Sequence, residues 1–214
     1  MTTASSVIPS PFTANRLLLA TCGAFMVVWA LSYIGAASRF DWLLENILVV
    51  ALAALMAATY RRSQLSGLSY LSIFLFLVLH EWGAHYKYSD VPFGVWMMEW
   101  SGATRNHYDR VVHAAFGVCF AYPVREVIVL RGGARPGWAG WLTVAVITAL
   151  GAGYELMEWL VAAIVSPEDG EAFVGMQGDV WDAQKDMVLA SLGALPVLFI
   201  GSMVRRRRVA QGSR

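Results

Sequence analysis

The stretch GAGYELMEWLVAAIV, residues 151–165, decides how this chain is read. It has the apolar run of a membrane helix, yet it carries two carboxylates, Glu155 and Glu158. Residues at i and i+3 share a helix face, so whatever makes room for one glutamate makes room for both. An acid within a bilayer costs roughly 2.5–3.5 kcal/mol on insertion scales, and such groups usually face a bundle interior or a watery cavity. The question is what they face.

The rest of the chain supports the membrane reading. Of 214 residues, 57% are hydrophobic and only 14% charged, against about 25% charged in an ordinary soluble domain. Several uncharged runs reach the roughly 18 residues that mark a bilayer-spanning helix. The composition predicts an all-α, polytopic transmembrane bundle with six spans near residues 17–37, 43–60, 66–85, 109–130, 138–164 and 182–204. One membrane domain, 16–208, lies between tails at 1–15 and 209–214. The first run is longer than the 7–15 apolar residues of a signal core and follows a single Arg16, so it is expected to stay as an uncleaved span. Cys22 and Cys119 both fall inside spans, which argues against a disulfide framework. Nothing matches a nucleotide-binding loop or a zinc-finger spacing, and no nucleic-acid partner is expected.

Positive charges set orientation. Arg16, Arg61 with Arg62, Arg131 with Arg135, and the RRRR run at 205–208 fall at alternate span ends. Six spans put all of them on one side, which is expected to be the cytoplasm, so both termini are expected inside. The RRRR run then reads as a cytoplasmic stop and an anionic-lipid contact. Every acidic residue except Glu126 falls in the opposite half of the spans or in the loops there.

Depth follows from the helix rise of about 1.5 Å per residue. Trp138 to Glu155 is then about 26 Å, near the far edge of the hydrocarbon. His80, Asp109, His113 and Asp186 come out at a similar level on three other spans. Asp109 and His113 are spaced i, i+4, as are Glu81 and His85, while Asp179, Asp182 and Asp186 step by three and four. These faces are expected to converge on one polar pocket facing away from the cytoplasm. So many carboxylates in one place must share protons, pair with cations or bind metal. Arg105, Arg110 and Lys185 are close enough in sequence to neutralise some of them.

Each motif also has a plainer explanation. HEWGAHY (80–86) could be an interfacial helix end or supply histidine ligands. In RNHYDRVVHAAFG (105–117), Asp109 suits a helix's first turn, but His113 lies a turn deeper. D-x-x-x-H suits a carboxylate orienting an imidazole, or two metal ligands. YELMEW (154–159) could brace helices or supply metal or proton chemistry. Its glutamates only partly match the Glu-x-x-His of di-metal bundles. In GMQGDVWDAQKDM (175–187), Asp179 suits an N-cap and Asp182 an N3 position, whereas Asp186 lies deeper. The aromatic 86–108 connection could be a lid, a lipid entrance or a passive interfacial anchor.

Taken in order, HEWGAHYKYSDVPFG, RNHYDRVVHAAFG, YELMEW and FVGMQGDVWDAQKDM resemble the YjdF-like family of bacterial inner-membrane proteins over about His80 to Pro196. More remotely, the order of D-x-x-x-H, helical glutamate and aspartate-led last span is similar to VanZ-like proteins, which are linked to glycopeptide resistance. The resemblance implies the membrane class and marks His80, His85, Asp109, His113, Glu155, Glu158, Asp179, Asp182 and Asp186 as the polar set. It implies no particular reaction, and it leaves the first two spans as scaffold.

The leading expectation is a metal-dependent membrane hydrolase acting on a lipid or lipid-linked substrate. Asp109, His113, Glu155 and Glu158 would be its catalytic residues. One or two divalent ions would be held among His80, His85, His113, Glu155, Glu158, Asp182 and Asp186, with membrane lipids as partners. The alternatives are a proton- or ion-coupled transporter, since intramembrane acids and histidines also make relays, and a non-catalytic envelope factor whose polar cluster only braces helices.

Overall fold

The computed structural model describes residues 11–212, and every regular element among them is helical. Six long helices are long and apolar enough to cross a membrane. They are α1 (Arg16–Tyr33), α2 (Arg39–Thr59), α3 (Gly67–Tyr86), α5 (Tyr108–Leu130), α6 (Pro136–Ile164) and α8 (Asp182–Gly212). The two long connections each contain a short helix, α4 (Pro92–Ser101) and α7 (Pro167–Val174). The expected tail at 209–214 is helical as far as Gly212, as the last turn of α8, and the rest of it lies outside the described residues. Of the expected N-terminal tail, residues 1–10 lie outside the described residues, and Phe12–Ala14 form a single 3-10 turn before α1. The side chains of the 205–208 arginine run also lie outside them. Both cysteines are free.

The helix starts follow local chemistry. Unpaired amides at a helix N-terminus need acceptors, and polar side chains supply them. Asn15 accepts from the Leu18 amide, Ser38 from Asp41 and Ser66 from Ser69. Glu126, the one acid at the far end, accepts from the Ser66 amide at 2.9 Å and from the Ser69 hydroxyl at 2.5 Å. Its role is thus to tie the start of α3 to the end of α5.

Packing centres on α5, which touches α3, α6 and α8 and meets α8 most extensively. The α5–α8 seam is made of small residues. Gly117 lies against the Ala190 carbonyl, and Gly193 lies against the Ala114 carbonyl. With no hydrophobic force between helices in lipid, close backbone approach of this kind drives association. A side chain at Gly117 would meet α8 backbone, which cannot swing away. Gly117→Leu is therefore expected to cost at least the roughly 1–3 kcal/mol of an overpacked core, read as a lower melting temperature in detergent. An unchanged melting temperature would contradict this packing.

By contrast, α2 packs on α3 and hardly touches α6. It is held at its acidic end by hydrogen bonds: Trp29 Nε1 donates to Asn46 Oδ1 at 2.5 Å, and Trp42 Nε1 donates to Ser32 Oγ at 3.0 Å. Ser32 in turn donates to Glu81, which is fully buried between α1, α2 and α3. Below this clamp, a gap separates α2 from α6.

Candidate functional site

The acidic ends of α2, α3, α5, α6 and α8 surround a cluster of titratable side chains. At its centre is His113, one turn below Asp109 on α5. Its Nε2 lies 3.4 Å from Asp109 Oδ1 and 3.4 Å from Glu155 Oε1 of α6. Asp186, on α8, completes a group in which one donor atom each of Asp109, His113 and Asp186 lies within 4.8 Å of the others. Asp186 is 1% exposed, and its Oδ1 has no hydrogen-bond partner; neither does Glu155 Oε1. Buried carboxylate oxygens without donors are costly, so this group has the character of a cation site. Two carboxylates and an imidazole suit a divalent metal that prefers oxygen and nitrogen ligands, with coordination positions left for water or substrate.

A second tier borders this group. Tyr154 packs edge-on against the His113 ring and donates to Glu45 Oε2 at 2.9 Å, bridging α6 to α2. Glu158 is buried one turn beyond Tyr154, and with Glu45, Asp109 and Tyr88 it lines a chamber of about 20 Å³. That is room for about one water. His80 has both ring nitrogens engaged. Nε2 faces the Glu45 carbonyl at 3.3 Å and so must donate, which leaves Nδ1 to accept from the Tyr88 hydroxyl at 2.7 Å. Tyr88 reaches inward because Gly83 has no side chain: a Cβ there would sit 2.6 Å from the Tyr88 ring.

Three residues of the expected set lie elsewhere. His85 Nδ1 donates to the Ser32 carbonyl at 2.8 Å, and its own carbonyl accepts from Ala37, so it pins the α1–α2 turn. Asp182 is held by Arg105 in a two-pronged pair at 2.5 and 3.0 Å, with Arg110 at 3.2 Å. Asp179 pairs with Arg110 and, at 2.5 Å, with Lys185. These cations do neutralise carboxylates, but those just before α8 and in its first turn. Lys87 is similarly occupied by Asp41 at 3.0 Å. The inner group of Glu45, Asp109, Glu155, Glu158 and Asp186 is left facing His80 and His113.

The same pairs fasten a roof. Residues Phe173–Gln177 cover the small chamber. Gln177 adopts φ 50°, uncommon for a residue with a side chain. Its amide holds that shape by accepting from the Asn106 N–H at 2.9 Å and donating to the Asn106 carbonyl at 3.1 Å. Lys185, helped by the Trp181 amide and Arg110, holds the Asp179 carboxyl well below the usual carboxylate range. A carboxyl depressed in the folded state stabilises above its ordinary value and loses that contribution as pH falls through the depressed one. Acidification below about pH 4 should therefore lower the amide protection factors of residues 176–182, taken against intrinsic exchange at each pH, before the spans respond. Asp179→Asn should abolish that pH dependence, and equal protection factors at neutral and acid pH in the natural chain would contradict it.

Below the cluster, the gap between α2 and α6 is a cavity of about 360 Å³. Its polar end is formed by His80, Tyr88, Asp109, His113 and Tyr154, and its walls are apolar side chains of α2, α3, α5 and α6. The 86–108 connection contributes Tyr88 to the polar end, while α4 exposes Trp96 and Trp100 on the outside.

Glu45 is the main site residue that sequence reasoning missed. One weak signal existed: an acid in the first turn of a span that is otherwise free of charge, at the level of the other acids. Tyr154 carried no separable signal, because a tyrosine near a span end is ordinary interfacial anchoring.

Six membrane-spanning helices around a buried acid–histidine cluster at one end define an integral membrane protein. Residues 17–207 match the family of predicted membrane proteins designated DUF2238, and the chain belongs to that family. It is 38% identical over 193 residues to inner membrane protein YjdF of Escherichia coli (strain K12), covering 88% of this chain and 91% of that protein. The YjdF-like resemblance in the motifs thus extends to nearly the whole chain. No solved structure matches it.

Proposed function

We propose that this protein is a metal-dependent membrane hydrolase acting on a lipid or lipid-linked substrate. The observation that carries the reading is the group of Asp109, His113 and Asp186, gathered from two helices, with a buried Asp186 oxygen that no protein donor meets. Asp109, His113 and Asp186 would hold a divalent ion. Such an ion lowers the pKa of bound water and polarises a phosphoryl or carbonyl oxygen. Glu155, whose free oxygen lies 3.4 Å from His113 Nε2, would act as general base toward water. Glu45 and Tyr154 orient the imidazole side of the site, and the Gln177 roof limits water. By the positive-inside rule the termini are cytoplasmic and the cluster faces outward, in an inner membrane like that of the Escherichia coli relative.

The small-residue seam between α5 and α8 favours this reading over ion transport. Below Asp186 the seam continues as Ala190, Gly193 and Ala194 against Ala114, Gly117 and Ala121, packed backbone to backbone. That gives a relay no carboxylate or imidazole step along the α5–α8 seam.

The test is metal content of the detergent-purified protein beside hydrolysis of phosphate-bearing lipids, with and without a chelator. Roughly stoichiometric metal and chelator-sensitive hydrolysis are expected. A well-folded protein that takes up no divalent metal would refute the proposal.

A further inference from the structure

The cavity between α2 and α6 has a chemistry that limits what can fill it. Its volume of about 360 Å³ equals roughly a dozen water-sized groups. Water is a poor occupant of its apolar length, because apolar cavities stay dry, whereas the polar end can hold water. The walls include Leu52, Phe76, Phe116 and Phe120, and two lining residues, Leu48 and Leu150, are also exposed on the outer surface of the bundle. Both helices beside the gap are membrane spans, so the medium at the mouth is hydrocarbon. At the acidic end the gap is closed by the Tyr154–Glu45 bond, and the cavity ends on Asp109 and His113. The α6 side of the opening is lined by the exposed Ala149 and Gly153, which are small and leave it wide.

We propose that this cavity seats one hydrocarbon chain of a membrane lipid, which enters from the bilayer between α2 and α6 with its polar end at the Asp109–His113 cluster. The inference deepens the hydrolase reading by naming how its substrate is held, and it rests on that reading only for what happens at the polar end. The chain belongs to either an acyl lipid or a polyprenyl carrier, since both present the same apolar surface. Each methylene moved from water to such a seat would matter, but the chain comes from hydrocarbon. Selection therefore falls to shape in the cavity and to the polar end.

Gly153 provides the test. A Cβ there meets nothing within 4 Å, so Gly153→Leu fills the opening without a clash and removes a helix glycine. Natural chain and variant are reconstituted in vesicles of phosphatidylethanolamine and phosphatidylglycerol. These are doped with phosphatidylethanolamine bearing a diazirine at one acyl end, then irradiated and mapped by peptide mass. In the natural chain, label is expected at Phe116 and Phe120. In Gly153→Leu that label should fall several-fold, while label on the outward-facing Leu156 and Trp159 persists. Ala149→Leu, one turn further along the same opening, should act alike. Displacement by excess polyprenyl phosphate assigns the seat to a prenyl chain, and displacement only by excess phospholipid assigns it to an acyl chain. Label absent from Phe116 and Phe120, unchanged in both variants, or displaced by neither competitor overturns the proposal. Metal content is measured on the same samples. Metal retained with no cavity label would reject the chain seat alone, and cavity label without metal would reject the hydrolase reading alone.

Discussion

Asp186→Asn is expected to abolish uptake of the proposed divalent metal while leaving the protein folded. Asparagine keeps the volume of the side chain but not its charge. Changes to groups that merely support a metal ligand cost roughly 10–100-fold in affinity, and loss of a ligand carboxylate should exceed that. The effect on folding separates a metal site from structural bracing. Asp186 is nearly fully buried, and its Oδ1 receives no protein hydrogen bond. Asparagine places no charge beside Asp109 and Glu155 and takes no protein hydrogen bond away from the unpartnered Oδ1, so the metal-free variant should melt no lower than the metal-free natural chain. Metal analysis and melting with and without chelator test both halves. A variant that keeps its metal, or one that unfolds regardless of metal, would contradict the assignment.

Arg105→Met should be the most destabilising of the polar substitutions. Both guanidinium nitrogens Nη1 and Nη2 bond the Asp182 carboxylate, and both side chains are buried. Removing one partner of a buried pair typically costs about 3–5 kcal/mol, because the other charge is left uncompensated. Arg110 also reaches Asp182, at 3.2 Å, which places the expected loss toward the lower end of that range. The double variant Arg105→Met with Asp182→Leu should recover much of the stability, since a packed apolar pair can replace a buried ion pair. Thermal unfolding of the single and double variants in detergent measures the coupling. Equal losses in the single and double variants would show that the pair does not hold the roof as its geometry implies.

Much of this protein was legible in its sequence, because a bilayer imposes simple rules. A helix must be long and apolar enough to satisfy its backbone within hydrocarbon, so the six spans could be read within a few residues of where the helices lie. The level of the acids followed from the rise per residue, and the pairing of Asp109 with His113 followed from i, i+4 spacing. Those are properties of single helices.

Which helix faces which is a property of the bundle, and there the sequence was silent. His85, Asp182 and Asp179 share helical spacing with the residues that converge, yet the structure turns them toward Ser32, Arg105, Arg110 and Lys185. Glu45 lies in a span read as scaffold, yet it reaches the cluster because Tyr154 crosses the gap to meet it. The sequence alone determined the membrane class, the number of spans and the end at which the charge gathers, because these depend on length, hydropathy and helical period. Only the tertiary structure decided which carboxylates are paired by cations and which are left to face His113. That choice depends on how closely α5 and α8 approach through Gly117 and Gly193, and on the gap left where α2 and α6 fail to pack.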